Sequence, residues 1–389
     1  MPVRATKRGH ERTPLDGDYD VVICGASFAG LSVARELRGS GARVLVVDRY
    51  EIGERQTSAC AAPTEWLANL GLQSSIRQTF RDLVLHRPGK TYRWTLPWTF
   101  STFDYPQLCA LLADQGDFAF DTAKVDGITR GTVHTIHTDR GDLRAPLVVD
   151  ALGWRRVLSS SSEAIQPPDA RLSRGLEVHP PATGEDLELW LDPKYIVPGY
   201  SWAFPAGDEV RVGVGSFDPK LHVKDPTVQL AQDIGIPTSG YQGNWIPHRL
   251  RDATGDGVFF AGDSAGHCLP TTAEGIRTAF YFGLACGREL RRVLDGRQTR
   301  SQALTRYDSF NEDHRYAFDW LWRVQTLFSA INKYPAMDTT INLMSRPRAI
   351  RWAFTHYLNI APPSFALDGS RPWAVEPWAE DAGSVRVAA

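Results

Sequence analysis

The 389-residue chain lacks several features, and each absence removes a class of function. No apolar run approaches the roughly 18–20 residues that a membrane-spanning helix needs. The five cysteines (Cys24, Cys60, Cys109, Cys268 and Cys286) are odd in number and scattered, with no CxxC pair, which argues against a disulfide framework or a zinc site. An excess of one charge sign is missing too: 43 Lys and Arg against 45 Asp and Glu leave −2. That balance provides no duplex-scale footprint for nucleic acid, so no such partner is expected. The start, Met1–Asp20, is polar and basic with no apolar h-region. It reads as a loose leader over 1–17 rather than a secretory signal, and the expected compartment is the cytoplasm. There are no internal repeats.

What remains is an ordinary globular composition, 42% hydrophobic and 23% charged. At roughly 150 residues per domain the length implies two or three domains. Aromatics are plentiful, with 12 Trp, 12 Tyr and 17 Phe, many of them between Tyr316 and Phe365. They either fill a helical core or line an apolar pocket.

The first periodic segment, Asp18–Cys24, has the β-branched run of a buried parallel strand. Gly25-Ala-Ser-Phe-Ala-Gly30 follows, then an amphipathic helix over Leu31–Arg38 and a second buried strand, Arg43–Asp48. Leu83–Phe103 is strand-like, Tyr105–Asp114 a short helix, and Phe118–Asp139 a β-meander. Leu147–Gly153 is another apolar strand running into a glycine turn, and the serines 159–162 resemble a linker. Segments at Arg174–Val178, Asp186–Leu191, Tyr195–Phe204 and Glu209–Phe217 predict an antiparallel sheet. Gly257–Ala261 is again a buried strand, Gly275–Val293 a long helix, and the chain after about 300 mainly helical; the tail from Pro362 has no assigned structure.

Gly25-x-Ser27-x-x-Gly30 lies between strand and helix, with Asp48 at the end of the next strand. Gly25 permits the tight turn and Gly30 close helix–strand packing. The helix N-terminus can receive a pyrophosphate, and Asp48 can accept from a ribose hydroxyl. Ser27 replaces the usual second glycine. Further on, Phe259-Phe-Ala-Gly-Asp-Ser-Ala-Gly266 and Pro270-Thr-Thr-Ala-Glu-Gly-Ile276 resemble the second signature of two-dinucleotide-domain flavoproteins. Pro198-Gly-Tyr-Ser-Trp-Ala-Phe-Pro205, followed by Gly207 and Val212-Gly-Val-Gly215, resembles the P-x-Y-x-W-x-F-P motif of the geranylgeranyl reductase family, whose relatives include aromatic hydroxylases, flavin halogenases and lycopene cyclases.

The resemblance covers about residues 18–300 and implies an α/β fold: a discontinuous Rossmann-like FAD domain (18–80, 104–160 and 250–300), an antiparallel sheet domain for substrate (81–103 and 170–249) that covers the flavin, and a helical region (301–389). It implies FAD contacts from Gly25, Ser27, Phe28, Ala29 and Gly30, and from Asp48, Arg49 and Arg55. Gln107, where relatives often carry an arginine, and Val125 belong to the same implied set. From the second signature come Gly262, Asp263 and Gly266, with Gly275 and Ile276 presenting amides to the flavin N1–C2=O edge. Tyr200, Trp202 and Phe204 would line the cavity for an apolar substrate, since residues two apart share one strand face. Candidates for chemistry are Cys60, His267 and Glu274. Cys60 is either near the flavin or an inert buried thiol. His267 is either a proton donor or a packing histidine, and Glu274 either an acid of raised pKa or a helix-dipole partner.

The expected reaction is hydride delivery from flavin N5 to a C=C bond of an isoprenoid-like substrate. NAD(P)H would serve as a transient reductant, because no second glycine-rich βαβ unit is present. An FAD-dependent monooxygenase of hydroxylase or halogenase type, a lycopene-cyclase-like flavoprotein and a non-enzymatic FAD-binding partner stay open. Asp150-Ala-Leu-Gly153 lacks the adjacent Asp-Gly of the hydroxylases, and the W-x-W-x-I-P motif of the halogenases is matched only as Tyr200-Ser-Trp-Ala-Phe-Pro205. Apolar substrates partition into lipid, which leaves peripheral membrane contact open, although no basic amphipathic helix stands out.

Overall fold

The structure, a computed structural model, describes residues 13–56, 58–160, 172–238, 240–331 and 335–367. Its chain divides into two compact units. The first comprises 1–56, 105–172 and 246–322; the second comprises 57–104, 173–245 and 323–389.

The first unit is organised by a six-stranded sheet. The strand Val21–Cys24 is buried along its whole length and sits between Leu147–Asp150 and Val44–Asp48, parallel to both. The parallel order continues to Val258–Phe260 on one side and Ala119–Thr122 on the other, with a short antiparallel edge at Thr254–Gly255. Strands made of Val, Ile, Leu and Phe without alternation are those a sheet covered on both faces requires. The helices Phe28–Glu36 and Ile276–Leu294 pack together against it. Beside it lies a four-stranded sheet in the order Gly17–Asp18, Gly141–Ala145, His134–Thr138, Val125–Thr129.

Two expectations change here. Gly17, assigned to the leader, pairs with Leu143 in a strand. Ala119–Thr122, assigned to the meander, instead extends the parallel sheet by pairing Leu45 with Ala119. The meander is formed by 125–129, 134–138 and 141–145, because the chain changes sheets after Thr122.

The second unit is built on an eight-stranded sheet in the order Gln242–Pro247, Leu172–Val178, Glu209–Ser216, Gly199–Ala206, Leu187–Trp190, Ile76–Arg87, Lys90–Phe103, Ala61–Pro63. It is not purely antiparallel: Leu187–Trp190 runs parallel to Ile76–Arg87. Residues 57–80, expected in the FAD domain, belong to this unit. The physical reason is one long hairpin, in which Ile76–Phe80 pairs with Phe100–Phe103 across two register shifts. One face of the sheet packs on helix Lys224–Asp233, where Ala203, Val212 and Val214 meet Leu230 and Ala231. A separate cluster joins Leu85 to Met337 and Ile341 of helix Pro335–Met344. The helical region expected over 301–389 is likewise divided, with 323–389 grouped in this unit.

Trp66 is fully buried, and its indole Nε1 donates to the Ala361 carbonyl at 2.9 Å. Trp66→Phe keeps the apolar volume but removes the donor from a buried acceptor. We expect a loss of about 1–3 kcal/mol in denaturant unfolding, with the far-UV circular dichroism unchanged.

Candidate functional site

The Gly25–Gly30 turn is a steric construction. Gly25 has φ +115°, and a Cβ there would lie 2.3 Å from the Ala151 carbonyl oxygen. A Cβ on Gly30 would lie 1.9 Å from the Gly25 carbonyl oxygen. Only glycine allows strand and helix to approach so closely. Ser27 is the N-cap of helix Phe28–Glu36, yet its side chain caps nothing; its Oγ lies 3.1 Å from the Tyr105 hydroxyl. The helix start therefore has no cap from the Ser27 side chain, and no acid occupies its first turn. This is an anion-receptive helix end. Phe28 meets Tyr105 and Phe280 edge-on at 5.4 and 5.6 Å, fixing the start of the helix.

Asp48 is held by backbone donors: Ala26 N reaches Oδ2 at 2.8 Å and Tyr50 N reaches Oδ1 at 3.0 Å, with the Arg49 amide beside them. Burial raises its pKa against these hydrogen bonds. The carboxylate is thus oriented at the mouth of the turn with lone pairs left for a hydroxyl. Beyond it, Arg49 and Arg55 lie over the Tyr50 ring at 5.8 and 5.2 Å. Gln107 is exposed on helix Tyr105–Ala113, and Val125 is buried at the start of its strand.

The second signature forms a short 3-10 turn, Gly262–Ala265, after the strand Val258–Phe260. A Cβ on Gly262 would come within 2.9 Å of the Ala29 Cβ, so the turn closes directly on the first helix. The Gly275 Cα also lies beside this turn, since a Cβ built there would be 3.7 Å from Asp263 Oδ1. Gly275 caps helix Ile276–Leu294, whose first turn contains no acid. The Asp263 side chain makes no hydrogen bond among the described residues. Burial lifts its pKa to about 6, eased downward by Arg251. Gly266 turns the chain with φ +69°. An unpartnered carboxylate beside two uncapped helix starts fits the ribityl and pyrophosphate part of FAD.

Asp150, which the sequence marks only as the start of the Asp150-Ala-Leu-Gly153 turn, has a structural role. It is fully buried and accepts from Leu152 N, Leu158 N and Ser264 Oγ, the last at 2.7 Å. It thereby links the turn after the strand Leu147–Asp150 to the Gly262–Ala265 turn. The signal was present, an acid ending an apolar strand just as Asp48 does.

The chemistry candidates fare differently. His267 is fully buried, stacked on Phe282 at 3.8 Å, with Nε2 donating to Asn311 Oδ1 at 3.0 Å. Desolvation lowers its pKa to about 3. It holds no proton to give near neutrality and is a core histidine. Glu274 accepts from Arg277 Nε at 2.8 Å in a buried ion pair, so its carboxylate is engaged within the chain. Cys60 is buried with φ +50°, a strained conformation for a residue with a side chain. Its carbonyl accepts from Arg211 Nη1 at 3.1 Å and from Phe103 N at 3.0 Å.

Tyr200, Trp202 and Phe204 share one half-buried face of the strand Gly199–Ala206, while Ser201 and Ala203 point to the opposite, buried face. Helix Lys224–Asp233 packs on the Ala203 side, so the aromatic stripe is not there to seat that helix. Trp202 lies against the neighbouring strand: a Cβ on its partner Gly213 would be 2.3 Å from the indole Cζ2. The Tyr200 ring is 5.9 Å from Trp202. Trp202 Nε1 donates to Glu177 Oε2 at 3.3 Å, and Glu177 lies 2.9 Å from His179. Arg211, on the same face, ties the sheet to the Ala59 and Cys60 carbonyls.

Two outcomes test this reading. The folded state binds the Asp263 proton more tightly than the unfolded chain, whose carboxyl stays near 3.8. Its contribution to stability is therefore complete at acid pH and lost as pH rises through about 6. FAD-free Asp263→Asn is expected to melt above the native protein only beyond that pH, in thermal scans across pH. His267→Gln is expected to leave the pH profile of turnover unmoved.

No protein-family model matches the chain. It is similar to digeranylgeranylglycerophospholipid reductase 2 of Methanosphaera stadtmanae, 25% identical over 354 residues that cover 76% of this chain and 84% of that protein. A geranylgeranyl bacteriochlorophyll reductase-like protein of Thermoplasma acidophilum has the same fold, with TM-score 0.77 and 16% identity over 90% of this chain and 98% of that one. So does PqsL, a probable FAD-dependent monooxygenase of Pseudomonas aeruginosa, with TM-score 0.61 and 17% identity over 87% of this chain and 100% of that one. The chain resembles the geranylgeranyl reductases in sequence and shares with them, and with FAD-dependent monooxygenases, one flavoprotein fold.

Proposed function

We propose that the protein is an FAD-dependent oxidoreductase that reduces a C=C bond of an apolar, isoprenoid-like substrate, with NAD(P)H as the transient electron donor. FAD, when bound, supplies the hydride from its N5. The chain's own residues bind and orient. The uncapped start of helix Phe28–Glu36 would take the pyrophosphate, Asp48 a ribose hydroxyl and Asp263 the ribityl chain. The start of helix Ile276–Leu294 would offer amides and positive dipole to the N1–C2=O edge of the ring.

The observation that carries the substrate class is the aromatic face of the second unit. An indole laid against a glycine, beside a tyrosine and a phenylalanine and away from the packing helix, offers apolar ring surface on a face whose charged groups, Glu177 and Arg211, are buried and engaged within the chain. Such a surface excludes water from a polyene. With His267 neutral and Glu274 paired with Arg277, neither side chain supplies the proton that completes the reduction. Names of the relatives support the reductase reading. A monooxygenase is the second reading, favoured by the fold shared with PqsL.

Anaerobic protein loaded with FAD should bleach on addition of NADPH and give a saturated product from a prenyl substrate without oxygen. Oxygen consumption matched to hydroxylated product would replace this reading with the monooxygenase. Tyr200→Ala with Trp202→Ala should lower kcat/KM for the prenyl substrate at least about tenfold while FAD content stays constant. Undiminished turnover would remove the aromatic face from the substrate site.

A further inference from the structure

Helix Pro347–Leu358 has two different sides. One side buries Ile350 and sets Phe354 against Trp94 and Trp98, at 6.2 and 6.1 Å. The other carries Arg348, Arg351 and Trp352 at spacings of three and four, and Trp352 is 64% exposed. The preceding helix, Pro335–Met344, repeats the arrangement: Met337 and Ile341 are buried, while Leu343 is 55% exposed. Arg346 stands exposed in the turn between the helices.

From Leu343 to Trp352 the sequence contains three arginines and no acid, in a chain whose net charge is −2. Among the described residues none of the three is ion-paired. A large indole and a leucine left in water are unfavourable, and the cations around them find no carboxylate among the described residues. An anionic lipid surface satisfies both conditions: tryptophan favours the headgroup layer, and arginine favours lipid phosphate.

We infer that the Leu343–Arg346 turn and the exposed side of helix Pro347–Leu358 dock on an anionic phospholipid surface. Trp352 and Leu343 enter the headgroup layer, and Arg346, Arg348 and Arg351 contact phosphates. No helix among the described residues is long and apolar enough to cross a membrane, so this contact is peripheral. The docking needs no turnover and stands apart from the reaction proposed above.

The full chain is mixed with vesicles of phosphatidylcholine alone, or of phosphatidylcholine with phosphatidylglycerol, and sedimented. Binding to the anionic vesicles, weakened by salt, is expected. Each arginine contributes about fivefold, so Arg346→Glu, Arg348→Glu and Arg351→Glu together should reduce partitioning at least about a hundredfold. Brominated acyl chains should quench a fluorescence component that disappears in Trp352→Phe, a substitution that disturbs neither fold nor charge. Equal binding to both vesicle types, or no binding, overturns the inference. So does a lipid-free dimer that Trp352→Ala converts to monomer, since a second copy would then cover the patch.

Discussion

A side chain at Gly30 would place its Cβ 1.9 Å from the carbonyl oxygen of Gly25, and the first unit of this protein is arranged around that exclusion. The strand Val21–Cys24 can turn directly into helix Phe28–Glu36 only because no Cβ stands between them. Once the turn is that tight, the first amides of the helix point out of the end of the sheet, uncapped by the Ser27 side chain. The second signature closes on the same place, with Gly262 against Ala29. Two helix starts then lie near two acids, of which Asp48 is oriented by backbone amides and Asp263 has no hydrogen bond among the described residues.

Three buried acids near the ends of the parallel strands sit in different surroundings. Asp150 is enclosed by two amides and the Ser264 hydroxyl, which joins two turns of the first unit. Asp48 accepts from the amides of Ala26, Tyr50 and Arg49. Asp263 has the Arg251 charge nearby and no hydrogen bond among the described residues. Burial raises the pKa of all three, and Asp263 alone has no hydrogen-bond donor among the described residues to oppose that rise.

The second unit follows a different rule. Its central strands put valines on one face for helix Lys224–Asp233 and aromatics on the other. Glycine at 213 turns the neighbouring strand into a shelf for the Trp202 ring. The aromatic abundance between Tyr316 and Phe365 divides in the same way: Phe354 packs on Trp94 and Trp98, whereas Trp352, two residues earlier, faces solvent.

The local pattern of the sequence determined the βαβ unit, the Gly25–Gly30 turn, the partner acid Asp48 and the second signature at Gly262–Ile276. Glycine geometry and strand–helix periodicity act over neighbouring residues, so a single chain displays them directly. Period-two alternation likewise put Tyr200, Trp202 and Phe204 on one face. Tertiary structure alone decided what surrounds a side chain. The sequence leaves His267 and Glu274 open between proton donor and structural residue, and Phe282, Asn311 and Arg277 beside them decide it. Asp150 showed its task only when Ser264, 114 positions away, reached it. The exposed basic side of helix Pro347–Leu358 stayed hidden because its arginines alternate with Ile350, Trp352 and Phe354, and only packing reveals which of these are buried. Charge state and exposure depend on neighbours distant in sequence, and those neighbours exist only in the fold.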